Sequence, residues 1–127
     1  MSRVAWSLAE PIPASAEDLI KRIDAYGKSI KRKVDKRELR RLFPGKSLDI
    51  QYEYAVRRRS GEWDMIAGVA RVKQRRKPLT FAEILFQLHK ACHRYLKDQD
   101  HHYFEGLYLL EYPLHRDVPA YEAYLGS

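Results

Sequence analysis

Two alternating stretches joined by a short polar connection constrain the fold more than any other feature of this sequence. The first, "LDIQYEYAV" (48–56), alternates apolar and polar residues with the period of two that is typical of a half-buried strand. The second, "MIAGVARVK" (65–73), returns after "RRRSGEWD", in which Gly61 suits the tip of a turn. This pattern predicts a β-hairpin with one buried face. The residues predicted on that face are Leu48, Ile50, Tyr52, Tyr54, Val56, Ile66, Ala70 and Val72.

Three helices are predicted from the residues at their N-termini. A Ser, Thr or Asp followed three residues later by an acid is typical of a helix start, because its side chain can accept a hydrogen bond from a free backbone N–H. The pairs are Ser15 with Asp18, Asp35 with Glu38, and Thr80 with Glu83. Apolar residues at helical spacing extend the first helix to Ile30, and Pro44–Gly45 ends the second. The third is predicted from Phe81 to about Leu96.

The remaining segments complete an α+β domain. Arg3–Leu8 is predicted as a strand at an edge, and Tyr103–Tyr112, apolar on both faces, as a central strand. Segment 118–125 fits either a helix or a strand, and a terminal strand is favoured because it is easily tied down. The order β-α-α-β-β-α-β-β predicts one domain over residues 1–127. It has a mixed or antiparallel sheet of four to five strands and three helices mainly on one face.

The composition predicts a soluble, intracellular protein. A chain of 127 residues can bury a core without disulfides, and the single cysteine, Cys92, fits a reducing compartment. No apolar stretch is long enough for a signal peptide or a membrane span. The expected location is the cytoplasm, or the nucleus if the source is eukaryotic, since "KRKVDKR" (31–37) could act as a nuclear address.

The distribution of charge predicts an acidic partner, either nucleic acid or an acidic protein. Residues 1–77 hold 20 Lys and Arg against 10 Asp and Glu, while residues 78–127 hold 4 against 7. The densest run is "SIKRKVDKRELRRLFPGK" (29–46). Its cations would contact a nucleic-acid backbone without reading base edges. The predicted nucleic-acid-binding residues are Lys31, Arg32, Lys33, Lys36, Arg37, Arg41, Arg57, Arg58, Arg59, Arg75 and Arg76. A solvated face is the alternative interpretation of the same run.

The third helix carries a second stripe that predicts a protein partner. Phe86, His89 and His93 fall on the face opposite the main apolar stripe, so they either cover another part of the fold or are left exposed for binding. An exposed stripe would make the chain a protein-interaction module, such as an inhibitor, an immunity-type or adaptor protein, or a homodimer. This is the alternative to nucleic-acid binding.

No pattern of catalytic or metal-binding residues is evident. His89 and His93 are four residues apart on one helix face, a spacing that can hold a metal, and His101 and His102 follow in a loop, but the set forms no recognised pattern of three or four ligands. The sequence also lacks a glycine-rich phosphate loop and a nucleophile elbow. We therefore expect a non-catalytic binding protein without a cofactor or metal, while a site assembled from these histidines stays an open alternative.

Overall fold

The computed structural model describes residues 6–31 and 34–126. The predicted α+β class and the order of the elements are confirmed. The strands are β1 (Trp6–Ser7), β2 (Ser47–Arg57), β3 (Trp63–Lys73), β4 (Tyr103–Leu109) and β5 (Ala120–Gly126). The helices are α1 (Ala16–Ser29), α2 (Lys36–Leu39) and α3 (Phe81–Leu96). The predicted strand Arg3–Leu8 lies partly outside the described residues, since only residues 6–8 of it are described.

The five strands form one mixed sheet in the order β1-β4-β5-β2-β3. Every neighbouring pair is antiparallel except β2 and β5, which run parallel over residues 49–51 and 120–122. Of the two alternatives for segment 118–125, the strand is confirmed. As β5 it lies between β4 and β2, so its backbone groups have partners on both sides.

The β2–β3 hairpin is paired without interruption from Ser47 opposite Lys73 to Arg57 opposite Trp63. The predicted inner face is confirmed at Leu48, Ile50 and Tyr52, which are buried against the helices. Val56 and Ile66 lie on the same face by register but are not buried, since Val56 is 38% exposed and Ile66 is 40% exposed. Both lie toward the turn, where the hairpin extends beyond the buried core.

The predicted caps begin all three helices. The Ser15 hydroxyl accepts a hydrogen bond from the Asp18 N–H at 3.1 Å, and the Thr80 hydroxyl accepts one from the Glu83 N–H at 3.2 Å. In α2 the Asp35 carboxylate accepts from the Arg37 N–H at 3.0 Å. Because α2 has only four residues, its position depends on packing rather than on helix propensity.

The core lies between the sheet and the helices. Helix α3 packs against β2 and β3, and α1 and α2 pack against α3. The side chains of Phe81, Leu85 and Leu88 on α3 are almost wholly buried. Cys92 is buried, and burial raises the pKa of its thiol to about 12. A thiol that stays protonated at neutral pH is unreactive, so Cys92 is a core residue.

Glycine at position 68 is required by the close approach of an aromatic ring. A Cβ atom at this position would lie 2.5 Å from Cζ of Tyr52, which is buried on the opposing strand. We expect Gly68→Ala to lower the free energy of unfolding by about 1–3 kcal/mol, because the ring must move within a packed core. Denaturant unfolding measures this loss. Ala67→Ser, at the neighbouring exposed position, is the control, and equal stability of both variants would contradict the account.

Candidate nucleic-acid interface

Two basic segments that are distant in sequence lie side by side at one end of the sheet. The Phe81 N–H donates to the Arg41 carbonyl at 2.9 Å, and the Phe43 N–H donates to the Leu79 carbonyl at 2.8 Å. Further along, the Gln74 N–H donates to the Lys46 carbonyl at 2.7 Å. These bonds fix residues 41–46 against residues 74–81. We call the exposed cations that they bring together the basic end: Arg41, Lys46, Arg75, Arg76 and Lys77.

Few cations of the basic end have an acidic partner. Arg41 is 3.9 Å from the Glu38 carboxylate, and its side chain is 70% exposed. Within residues 6–31 and 34–126, no ion pair involves the other four cations of the basic end. Their mutual repulsion is therefore moderated mainly by water and salt, which is the condition in which an anionic ligand is attracted.

The hairpin arginines do not join this group. Arg57 belongs to the last residue pair of β2 and β3, and Arg58 and Arg59 follow it, whereas the basic end lies at the first pair. An 11-residue strand separates the two groups by about 34 Å. Arg58 also forms an ion pair with Asp64. Of the predicted nucleic-acid-binding residues, Arg41, Arg75 and Arg76 thus lie at one end of the hairpin, and Arg57, Arg58 and Arg59 lie at the other.

The cations near α2 differ in their contacts and exposure. Lys36 lies 3.3 Å from the Asp24 carboxylate on α1, and its hydrogen bond is the main cause that lowers the pKa of Asp24. Lys36 therefore ties α2 to α1. Arg37 and Lys31 are exposed. The other two predicted binding residues of this run, Arg32 and Lys33, lie outside the described residues.

Two cations of the basic end, Lys46 and Lys77, were not among the predicted binding residues. Lys46 is the last residue of the basic run 29–46, and Lys77 directly follows Arg75 and Arg76. The signals that could have found them are the hairpin register, which places Lys46 beside Gln74, and the position of Lys77 in the same basic linker as Arg75 and Arg76.

The second stripe of α3 is covered, so the predicted exposed partner face is wrong. Phe86 and His89 are buried, and His93 is partly buried with its Nδ1 3.1 Å from the Leu8 carbonyl. β1 and the residues that follow it lie over this stripe. The open alternative, that the stripe covers another part of the fold, is the one observed.

His89 holds β1 onto α3 through both ring nitrogens. Its Nδ1 accepts a hydrogen bond from the Trp6 indole N–H at 3.1 Å, and its Nε2 lies 2.8 Å from the Glu10 carbonyl. Because an indole can only donate and a carbonyl can only accept, these contacts fix the neutral tautomer with the proton on Nε2. Burial lowers the pKa of His89 to about 4, although the Glu10 carbonyl acts in the opposite direction.

The histidines do not assemble into one centre. His102 Nδ1 lies 2.7 Å from the Ser7 hydroxyl, and His101 lines a groove between β2 and β5. Among the described residues, no group of three or more His, Cys, Asp or Glu is arranged to hold a metal ion. In the same part of the chain, no helix has the length and apolar character required to span a membrane.

The groove between β2 and β5 is acidic. It has a volume of about 470 Å³ and opens where the two strands separate after their short parallel contact. Glu53, Glu105 and Glu122 line it. The acidic groove and the basic end are therefore distinct surfaces of the molecule.

Comparisons with protein families, with curated proteins and with solved structures find no match to this chain.

The buried, neutral His89 predicts a loss of stability in acid. In the unfolded chain the pKa of His89 is near 6.5. Between pH 6.5 and about pH 4, the unfolded state therefore binds a proton at His89 and the folded state does not. We expect the free energy of unfolding to fall as the pH decreases between 6.5 and 4, by at most about 1.4 kcal/mol per pH unit from this group.

Denaturant unfolding at a series of pH values measures this dependence. His89→Gln should flatten the profile between pH 6.5 and 5, where carboxylates contribute little. His115→Gln, at an exposed position, is the matched control and should keep the wild-type slope. A His89→Gln profile that is parallel to that of the wild type would contradict the assignment.

Proposed function

We propose that this protein is a non-catalytic binding protein that contacts a polyanion, with nucleic acid as the class, through the basic end. The observation that carries the proposal is the pairing of residues 41–46 with residues 74–81, which places five exposed cations on one small surface. Both segments are fixed by backbone hydrogen bonds, so little ordering of the backbone is needed when a ligand binds.

The chemistry of the basic end favours contacts with phosphates over contacts with bases. Arg and Lys neutralise phosphates and release counterions, which makes the affinity strongly dependent on salt. Five such contacts on a single strand would give a slope of log K against log salt of about −3.5. Of the described helices at this end, α2 has four residues and α3 begins with the buried residues Phe81 and Ala82, so neither presents a long exposed face to base edges. Weak sequence specificity is therefore expected.

An exposed aromatic side chain near the same end favours a single strand over a duplex. Leu109 of β4 pairs with Tyr121, and Ala120 of β5 pairs with Asp49, so the loop between β4 and β5 lies at the end of the sheet where β2 begins. Tyr112 in this loop is 76% exposed. An exposed aromatic ring beside cations can stack on an unpaired base.

Removal of two cations from the basic end tests the proposal. We expect Arg75→Ala combined with Arg76→Ala to weaken binding of a fluorescent single-stranded oligonucleotide about tenfold and to reduce the salt slope by about 1.4. Fluorescence anisotropy over a range of salt concentrations measures both quantities.

Lys21→Ala combined with Lys97→Ala is the matched control. It removes the same charge from exposed positions on α1 and after α3, away from the basic end. Equal losses of affinity in the two double variants would show that binding depends on net charge alone, and would contradict a binding site at the basic end. Wild-type affinity that does not change with salt would also contradict it.

An acidic protein is the alternative partner, and it would use the same cations because the α3 stripe is buried. A pull-down from native lysate with and without nuclease separates the two classes. Loss of the captured material after nuclease treatment supports the proposal. Capture of an acidic protein that persists after nuclease treatment contradicts it and shows that the basic end binds a protein.

A further inference from the structure

Strand β3 has one open edge. It is the outermost strand of the sheet, with β2 on one side and, among the described residues, no strand on the other. At its last residue the edge is closed by a side chain. The Lys73 N–H donates to Gln87 Oε1 at 3.1 Å, and Gln87 Nε2 donates to the Lys73 carbonyl at 2.8 Å. The open part of the edge therefore runs from Trp63 to Arg71.

The contacts at Lys73 show which residues direct their backbone groups outward. Along a strand these groups alternate between the two sides with a period of two. Since Lys73 points outward, the other residues that do so are Trp63, Met65, Ala67, Val69 and Arg71. The opposite edge of the hairpin agrees, because the Ala55 N–H, on the residue paired with Met65, points away from β3 to the Gln99 side chain.

This edge lacks the features that normally keep edges from pairing. Exposed edges are usually short or are interrupted by bulges, prolines or inward charges. β3 is eleven residues long, regular throughout, and free of Lys, Arg and Pro from residue 63 to residue 70. Its one charge in that stretch, Asp64, is paired with Arg58. Trp63 is 64% exposed and Met65 is 63% exposed.

We propose that two copies of the chain pair through β3, antiparallel and about a twofold axis at Ala67, so that two five-stranded sheets become one. This register is centred on the open edge and lets all five outward-pointing residues form hydrogen bonds. It places Trp63 opposite the partner's Arg71, where a cation–π contact can form, and Met65 opposite the partner's Val69. On the other face it places Ile66 opposite the partner's Gly68, beside which the Tyr52 ring lies.

We identify the partner as a second copy because the side chains along the β3 edge complement one another when the edge pairs with itself. Trp63 and Met65 each meet a complement on the same segment, and no like charges stand directly opposite one another. A strand from another protein would not require this symmetry about Ala67.

Pairing through β3 would also bring together the hairpin arginines and the basic end, which lie at opposite ends of the hairpin in a single copy. At the Trp63 end of the pairing, the turn that carries Arg58 and Arg59 comes near the last residues of the partner's β3, which lead into the partner's basic end. Like charges then approach, so self-association should strengthen as salt increases. Nucleic-acid binding has the opposite salt dependence, and failure of this inference is therefore distinguishable from failure of the proposed function.

Analytical ultracentrifugation of the full chain over a dilution series tests the pairing. We expect the wild type to form a dimer more readily at high than at low salt, and Met65→Lys to remain a monomer where the wild type is dimeric. Leu109→Lys is the matched control, because Leu109 is 67% exposed on β4, and it should dimerise like the wild type. Unfolding curves confirm that both variants fold. A wild type that is monomeric at all concentrations and salts overturns the proposal.

A cysteine at the twofold axis tests the register. Directly opposite residues in a hydrogen-bonded antiparallel pair have Cα atoms about 5.5 Å apart, which is within reach of a disulfide. Ala67→Cys should therefore give a covalent dimer under mild oxidation, since the native Cys92 is buried and unreactive. Arg71→Cys, which would face the partner's Trp63, should cross-link much more slowly. Equal rates for the two variants overturn the proposed register.

Discussion

The uninterrupted pairing of β2 with β3 is the constraint on which the rest of the structure depends. Because eleven residue pairs stay in register, one face of the hairpin is consistently apolar and can be covered by α3. The same pairing fixes what lies at each end. It places Lys46 beside Gln74, holds the hairpin arginines a full strand away, and leaves the outer backbone groups of β3 available.

The opposite side of α3 shows how a small domain uses a helix that is apolar on two faces. One face supports the sheet, and the other is covered by β1 and the residues that follow it. A two-residue strand buries too little surface to hold itself in place, so the contacts made by His89 to Trp6 and Glu10 are important. A buried polar side chain is tolerated here because both of its nitrogens have partners.

The net charge of this protein can be interpreted only from the positions of its charged residues. A net charge of +7 would be compatible with a uniformly solvated surface. Instead, cations gather where residues 41–46 meet residues 74–81, and acids gather around the groove between β2 and β5. This separation favours a ligand that is anionic and that approaches the end of the sheet. Pairing through β3 would extend the positive surface across two copies and so increase the length of polyanion that it contacts.

Much of the fold was determined by local sequence. Helix caps depend on residues three positions apart, and strand alternation depends on a period of two, so Ser15, Thr80 and the β2–β3 hairpin could all be identified from the sequence alone. Only the tertiary structure decided that β5 runs parallel to β2, that Phe86 and His89 are covered, and that Arg41 belongs with Arg75 rather than with Arg57. Each of these outcomes depends on contacts between segments that are far apart in the chain. Such contacts are selected by the packing of the whole core, for which a local pattern carries no information.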